Sequence, residues 1–301
     1  MHVLLEPFEF AFLRHALLVC TVAGGLCGLL GVFVTLRGMS YLGHGLSHSI
    51  FGGAAICAAL SVNFFVGAGL WGLASGLAIG RVSRRRIIGA DAAIGVITTA
   101  SFAFGIVLLH LYSRVQRSID ATVFGSVLGV STTDVWVVIG VTAVTVAVLV
   151  ARYRPLLFTT FDPDVAEVSG VDVGRVDALL MLLLSFSILA SMKVLGVTLI
   201  AAALVVPAVT ARMLTNSFAR MLWLSAGIGA VTGLTGMYLS YHLDVPSGAA
   251  ITLVGFAAFA TVFTITGGAG LRAAASMGDH EPAGRGMTLA AVTSAPEPAG
   301  R

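Results

Sequence analysis

Charge is what this chain has least of. Of its 301 residues, 31 are Asp, Glu, Lys or Arg, 10% of the chain, where a soluble domain carries roughly 25%. So few charges cannot coat a water-facing globule, and a soluble fold is excluded. Lysine is nearly missing as well, with Lys193 the one example. A phosphate-cradling loop needs a Lys followed by Ser or Thr, whereas Val194, Leu195 and Gly196 follow Lys193. The chain therefore carries no ATP-hydrolysing loop. No Ser-His-Asp arrangement or nucleotide fingerprint offers another chemistry, so an enzyme is not expected. Cysteine is limited to Cys20, Cys27 and Cys57, all inside apolar runs and without disulfide or zinc spacing. They read as small buried packing residues. Aromatic residues make up only 8%, and the apolar runs are too long for barrel strands, which argues against a membrane β-barrel.

What is present is apolar: 57% of the residues, at a mean hydropathy of +1.00. A spanning helix takes about 20 such residues, and the 36 glycines suit helices packed closely in lipid. The expected fold is all-α, a polytopic integral membrane protein with eight or nine transmembrane helices and a short cytoplasmic helix. Apolar runs place spans at about His15 to Leu36, Leu46 to Val62, Phe64 to Gly80, Ala92 to Leu111 and Val135 to Ala151. Further runs follow at Ala178 to Met192, Val194 to Ala211, Met221 to Tyr241 and Gly248 to Thr266. The two stretches around Lys193 read either as two spans or as one span with a half-helix. The run after Arg14 reads as a first span rather than a cleaved signal, because it continues past any cleavage site. Pro207 lies within an apolar run and is expected to kink it.

Basic residues orient these spans. The cluster Arg81, Arg84, Arg85 and Arg86 fixes its loop in the cytoplasm, and a nine-span alternation then leaves 13 of the 17 basic residues inside. This arrangement puts the N-terminus outside and the C-terminus inside. The same placement at span ends accounts for the net charge of +3 without nucleic acid as a partner. Residues 1–268 read as one transmembrane domain with a cytoplasmic loop at 159–176, and residues 269–301, rich in Ala, Gly and Pro, as a disordered cytoplasmic tail. A short surface helix is expected outside, over Thr122 to Val130.

Few polar groups fall near lipid depth, where each is a functional candidate. In the run GHGLSHS, His44 and His48 lie four apart and share a face if helical. They can hold one metal ion through two imidazoles, or they can be hydrogen-bonded by Ser47 and Ser49 to fix the helix entry. In the loop at 159–176, Asp162 is a good N-cap, Pro163 fits the first helical position and Gly170 suits a left-handed stop. These signals predict a helix from Pro163 to Ser169, whose plain reading is an amphipathic connector resting on lipid headgroups. Asp91, Asp134 and Asp177 read as N-caps at span starts. His242 and Asp244, ahead of Pro246, Ser247 and Gly248, read as a plain polar turn or as an external gate.

Five passages, taken together and in this order, resemble the permease subunits of bacterial ABC transporters for zinc, manganese and iron. They are LRGMSYLGHGLSHSIFGGAA from Leu36, IGVITTASFAFGIVLL from Ile94, FDPDVAEVSGV from Phe161, and MKVLGVTLIAAALVVPAVTARML from Met192 with YLSYHLDVPSGA from Tyr238. The resemblance covers about Leu17 to Thr266. It implies a multi-pass permease of the bacterial plasma membrane, as a homodimer or paired with a second permease, with separate cytoplasmic ATPase subunits that hydrolyse ATP. It also implies an extracytoplasmic substrate-binding protein and a transported divalent metal, with no permanently bound cofactor. Asp162, Pro163, Asp164, Glu167 and Gly170 become the expected coupling residues that dock on the ATPase. The family pattern near Gly43 is Gly-Asp with His four residues later; His48 matches, and His44 stands in the place of the acid. Two imidazoles favour zinc slightly over manganese or iron. The alternatives are a related ABC permease for a non-metal or unidentified substrate linked to surface-anchored proteins, a secondary transporter, which would need an inverted repeat, and a non-transporting membrane anchor.

Overall fold

A computed structural model describes residues 10–60, 64–83, 89–112, 130–196 and 199–278. Among them every regular element is a helix: α1 Ala11–Leu36, α2 Leu42–Leu60, α3 Phe64–Ser83, α4 Ala90–Tyr112, α5 Thr132–Ala151, α6 Tyr153–Phe161, α7 Pro163–Val168, α8 Val173–Leu195, α9 Ile200–Leu214, α10 Phe218–Leu243 and α11 Ser247–Gly278. Six of these, α1, α4, α5, α8, α10 and α11, are long and apolar enough to cross a membrane, and α9 is a shorter apolar helix. The surface helix expected over Thr122 to Val130, the arginines at 84–86 and residues 279–301 of the tail lie outside the described residues.

The core is built on α1. Most of its spanning window is buried, 78%, against 22% for α11 and 28% for α4 and α5, so α1 is enclosed while the other three keep broad apolar faces outward. Glycine makes that enclosure possible. A Cβ on Gly24 would lie 2.2 Å from the Gly229 carbonyl oxygen, and one on Gly28 would lie 2.3 Å from that of Ser225. The backbones of α1 and α10 thus touch directly, and Ser225 Oγ donates to the Gly28 carbonyl at 2.5 Å. In lipid, such close contact replaces the hydrophobic effect as the force that joins helices. Residue pairs 20 with 233, 24 with 229 and 28 with 225 run in opposite senses, so α1 and α10 are antiparallel. Cys20, Cys27 and Cys57 are free and buried, the packing role expected of them.

Local signals set the helix ends. α1 stops in a Schellman turn: Gly38 takes φ +68, its N–H reaches the Thr35 carbonyl, and the Met39 N–H reaches Val34. The turn is short, so α2 begins at Leu42, earlier than the Leu46 expected. α8 likewise starts at Val173 rather than Ala178, capped by Asp172, whose carboxylate accepts from the Arg175 N–H at 3.0 Å. It runs through position 193 and ends before Gly196, φ +77. α5 opens with a capping box in which Ser131 is the N-cap and Asp134 returns a bond to the Ser131 N–H at 2.9 Å. Asp134 is therefore the third residue of that helix rather than its cap.

Candidate functional site

α2 carries both histidines in its first two turns. Their rings stand edge to face with centroids 4.4 Å apart, so the spacing of four does bring them together. His44 is exposed and His48 partly buried, its ring edge-on to Phe102 of α4 at 5.1 Å. Two imidazoles on one tetrahedral ion would set their centroids about 5 Å apart, so the pair needs only ring rotation to share an ion. Ser47 Oγ donates to the His44 backbone carbonyl at 2.9 Å, and Ser49 Oγ is buried without a partner. The Ser47 bond holds the helix backbone, and neither serine hydroxyl is bonded to a ring.

The histidines form one wall of a cavity of ≈ 470 Å³, and α4 forms the other with Asp91, Ile94, Thr98 and Phe102. α4 is held against α2 by a relay in which Trp71 Nε1 of α3 donates to Ser101 Oγ at 2.6 Å and Ser101 Oγ donates to the Ser49 carbonyl at 3.3 Å. A Cβ on Gly45 would meet Ile94 and Thr98 at 2.6 and 2.7 Å, so glycine lets the helices close up beside the histidines. The Thr98 hydroxyl, buried on this wall, has no hydrogen-bond partner. Among the described residues no three His, Cys, Asp or Glu side chains come close enough to form a metal cage. The arrangement is a two-imidazole contact on the wall of an open cavity. That suits an ion that must enter and leave.

The segment from Tyr153 to Asp177 contains the expected short helix and one more. α7 spans Pro163–Val168, with the Asp162 carboxylate accepting from the Val165 N–H at 2.9 Å, Pro163 at its start and Gly170 at φ +83. α7 presents Val165, 53% exposed, and Val168, 91% exposed, to solvent, and Phe158 and Phe161 of α6 are also exposed. Asp164 and Glu167 lie on the same exposed turn. α6 itself was not expected. Its signal is Pro155 in a first turn followed by the apolar Leu156, which is fully buried.

Arg37 ties this segment to α1. Its Nη1 pairs with Asp177, its Nη2 donates to Thr159 Oγ1 at 2.9 Å and its Nε donates to Thr160 Oγ1 at 3.3 Å. Asp177 is thus an ion-pair partner in the second turn of α8 and not an N-cap. These bonds put the end of α1, the start of α2, α6, α7 and the start of α8 at one end of the bundle. Asp91 lines the cavity at the same end, in the first turn of α4.

His242 and Asp244 sit at the opposite end, because α10 runs antiparallel to α1. Asp244 takes the left-handed conformation, φ 52, that stops α10, and Ser240 Oγ donates to the Val245 carbonyl at 2.6 Å. The His242 ring packs on Tyr238 at 4.4 Å. These residues build a well-formed exposed turn, and the fold does not bring them near His44 and His48.

Residues 9–266 match the ABC 3 transport family. The chain is 39% identical over 258 residues to the manganese transport system membrane protein MntC of Halalkalibacterium halodurans, covering 86% of this chain and 88% of that protein. It is 33% identical over 258 residues to a probable iron transport system membrane protein of Haemophilus influenzae, covering 85% and 94%. Among solved structures it resembles PsaBC from Streptococcus pneumoniae in complex with Fab, with a TM-score of 0.77, 33% identity, and coverage of 86% of this chain and 92% of that chain.

Proposed function

The chain belongs to the ABC 3 transport family, and from that premise we propose that it forms the ion pathway of an importer for a divalent transition metal. It is a multi-pass protein of the bacterial plasma membrane and a transport component rather than an enzyme. The observation that carries the metal reading is the pairing of His44 and His48 on the wall of a cavity. The relatives are named for manganese and iron, and the slight preference for zinc drawn from two imidazoles finds no support among them. Manganese is the first ion to test.

The pathway comprises the six long apolar helices together with α2, α3 and α9, nine crossing elements with the α6 to α8 end in the cytoplasm. Arg37, Arg152, Arg154 and Arg175 gather at that end, in keeping with the bias of basic residues to the inside. α7 is the coupling helix. Its capped, rigid turn presents Asp164, Val165, Glu167 and Val168 to a separate ABC ATPase, while Asp162, Pro163 and Gly170 fix its ends. A second permease copy facing His44 supplies the ligands that two imidazoles lack, and an extracytoplasmic binding protein delivers the ion at the His242 and Asp244 end. Nothing in the geometry favours a non-metal substrate or ion-coupled transport over this reading. The test is uptake of manganese, iron and zinc into vesicles holding the chain with its ATPase. ATP-dependent accumulation of at least one is expected, and accumulation of none would contradict the proposal.

A further inference from the structure

Arg37 holds more than one flank of the coupling segment. Thr159 and Thr160 lie in the last turn of α6, four and three residues before Pro163, and Asp177 lies nine residues after Val168. One guanidinium therefore grips the chain on both sides of α7. The side chain is only 9% exposed, and each threonine hydroxyl that accepts from it also donates to the Leu156 carbonyl, at 3.2 and 2.6 Å. The hydroxyl protons are thus directed, and the fork of donors is matched. A desolvated charge with matched partners does not let go of one without a large penalty.

From its own backbone Arg37 leads directly to the histidines. Gly38 and Met39 close the Schellman turn, Met39 is buried, and the Leu42 N–H reaches the Met39 carbonyl at 2.8 Å. No slack separates the clasp from α2, and His44 follows two residues into that helix. We propose that Arg37 is the positioning residue that transmits displacement of α7 to the His44 and His48 wall. The clasp moves as one body with α7, and the tight Gly38 turn converts that motion into a shift of α2 against α4. This rests on the reading of α7 as the docking helix and of the histidines as the ion contact. Lysine cannot replace Arg37, because a single ammonium lacks the planar fork that reaches Asp177, Thr159 and Thr160 together.

The test measures manganese uptake and ATP hydrolysis by the chain assembled with its ATPase in vesicles, and takes the ratio of ATP consumed to ion imported. Arg37→Lys is expected to raise that ratio about five-fold or more. Thr159→Val with Thr160→Val, which keeps the ion pair and leaves no charge alone, is expected to raise it about two-fold. A clasp that only stabilises the fold would lower uptake and hydrolysis together and leave the ratio at its wild-type value. That result in either variant that assembles would overturn the proposal, and the threonine variant decides alone if Arg37→Lys does not assemble. Val168→Asp separates this inference from its premise. If Val168→Asp leaves ATPase association intact, the docking reading of α7 fails. If it abolishes association while Arg37→Lys keeps the wild-type ratio, only the clasp fails.

Discussion

The two helices joined at Gly38 are built to opposite specifications. α1 is enclosed over most of its length, touches α10 backbone to backbone through Gly24 and Gly28, and ends in a guanidinium whose three partners are all in place. α2 packs on α3 and α4 along part of its surface, yet opens a cavity in its first two turns. There two rings stand against each other, and the Thr98 hydroxyl of α4 is buried in the seam beside Gly45 without a partner. Close packing and the paired Arg37 at its end make α1 a fixed post. Free volume beside the two rings is what the proposed ion contact at the start of α2 requires.

Substitutions separate these roles by the size and kind of their effect. The largest is expected at the post. Gly28→Leu drives a side chain into the Ser225 carbonyl, a backbone clash worth about 3 kcal/mol or more, and no monodisperse protein should be recovered from detergent. Recovery of stable protein would show that α10 can move away and that the contrast is overstated. At the wall, His48→Ala should reduce metal uptake about 100-fold or more while leaving association with the ATPase unchanged, since loss of one of two ligands removes the contact without touching the α1 core. Uptake within two-fold of wild type would remove the proposed site. The smallest effect is expected at Thr98→Val, which takes away a buried hydroxyl that bonds to nothing. The variant should be as stable as the parent or up to about 1 kcal/mol more so by thermal melting. A destabilised variant would mean that this hydroxyl already has a structural partner.

Features written within a few neighbouring residues were legible in the sequence. The cap at Asp162, Pro163 at the helix start and the left-handed Gly170 sit within nine positions, and they fixed α7 to within a residue of its end. The spacing of His44 and His48 likewise foretold ring contact. What escaped was set by partners far along the chain. Arg37 read as a topology marker and Asp177 as a cap because their pairing spans 140 residues. The α4 wall of the cavity was hidden for the same reason: Asp91 and Thr98 reach the histidines only through the packing of α4 on α2. α6 was overlooked because Pro155 reads as a breaker unless it falls in a first turn, where it is tolerated.

The central claim is that the paired imidazoles of α2 meet the transported ion and set its identity. The most direct measurement compares ATP-dependent uptake of manganese and zinc by the assembled transporter with its His44→Asp variant. Carboxylate oxygen suits manganese better than imidazole does, so the manganese-to-zinc uptake ratio should rise about ten-fold in the variant. An unchanged ratio, with both proteins equally active, would show that the ion does not pass His44 and would contradict the account.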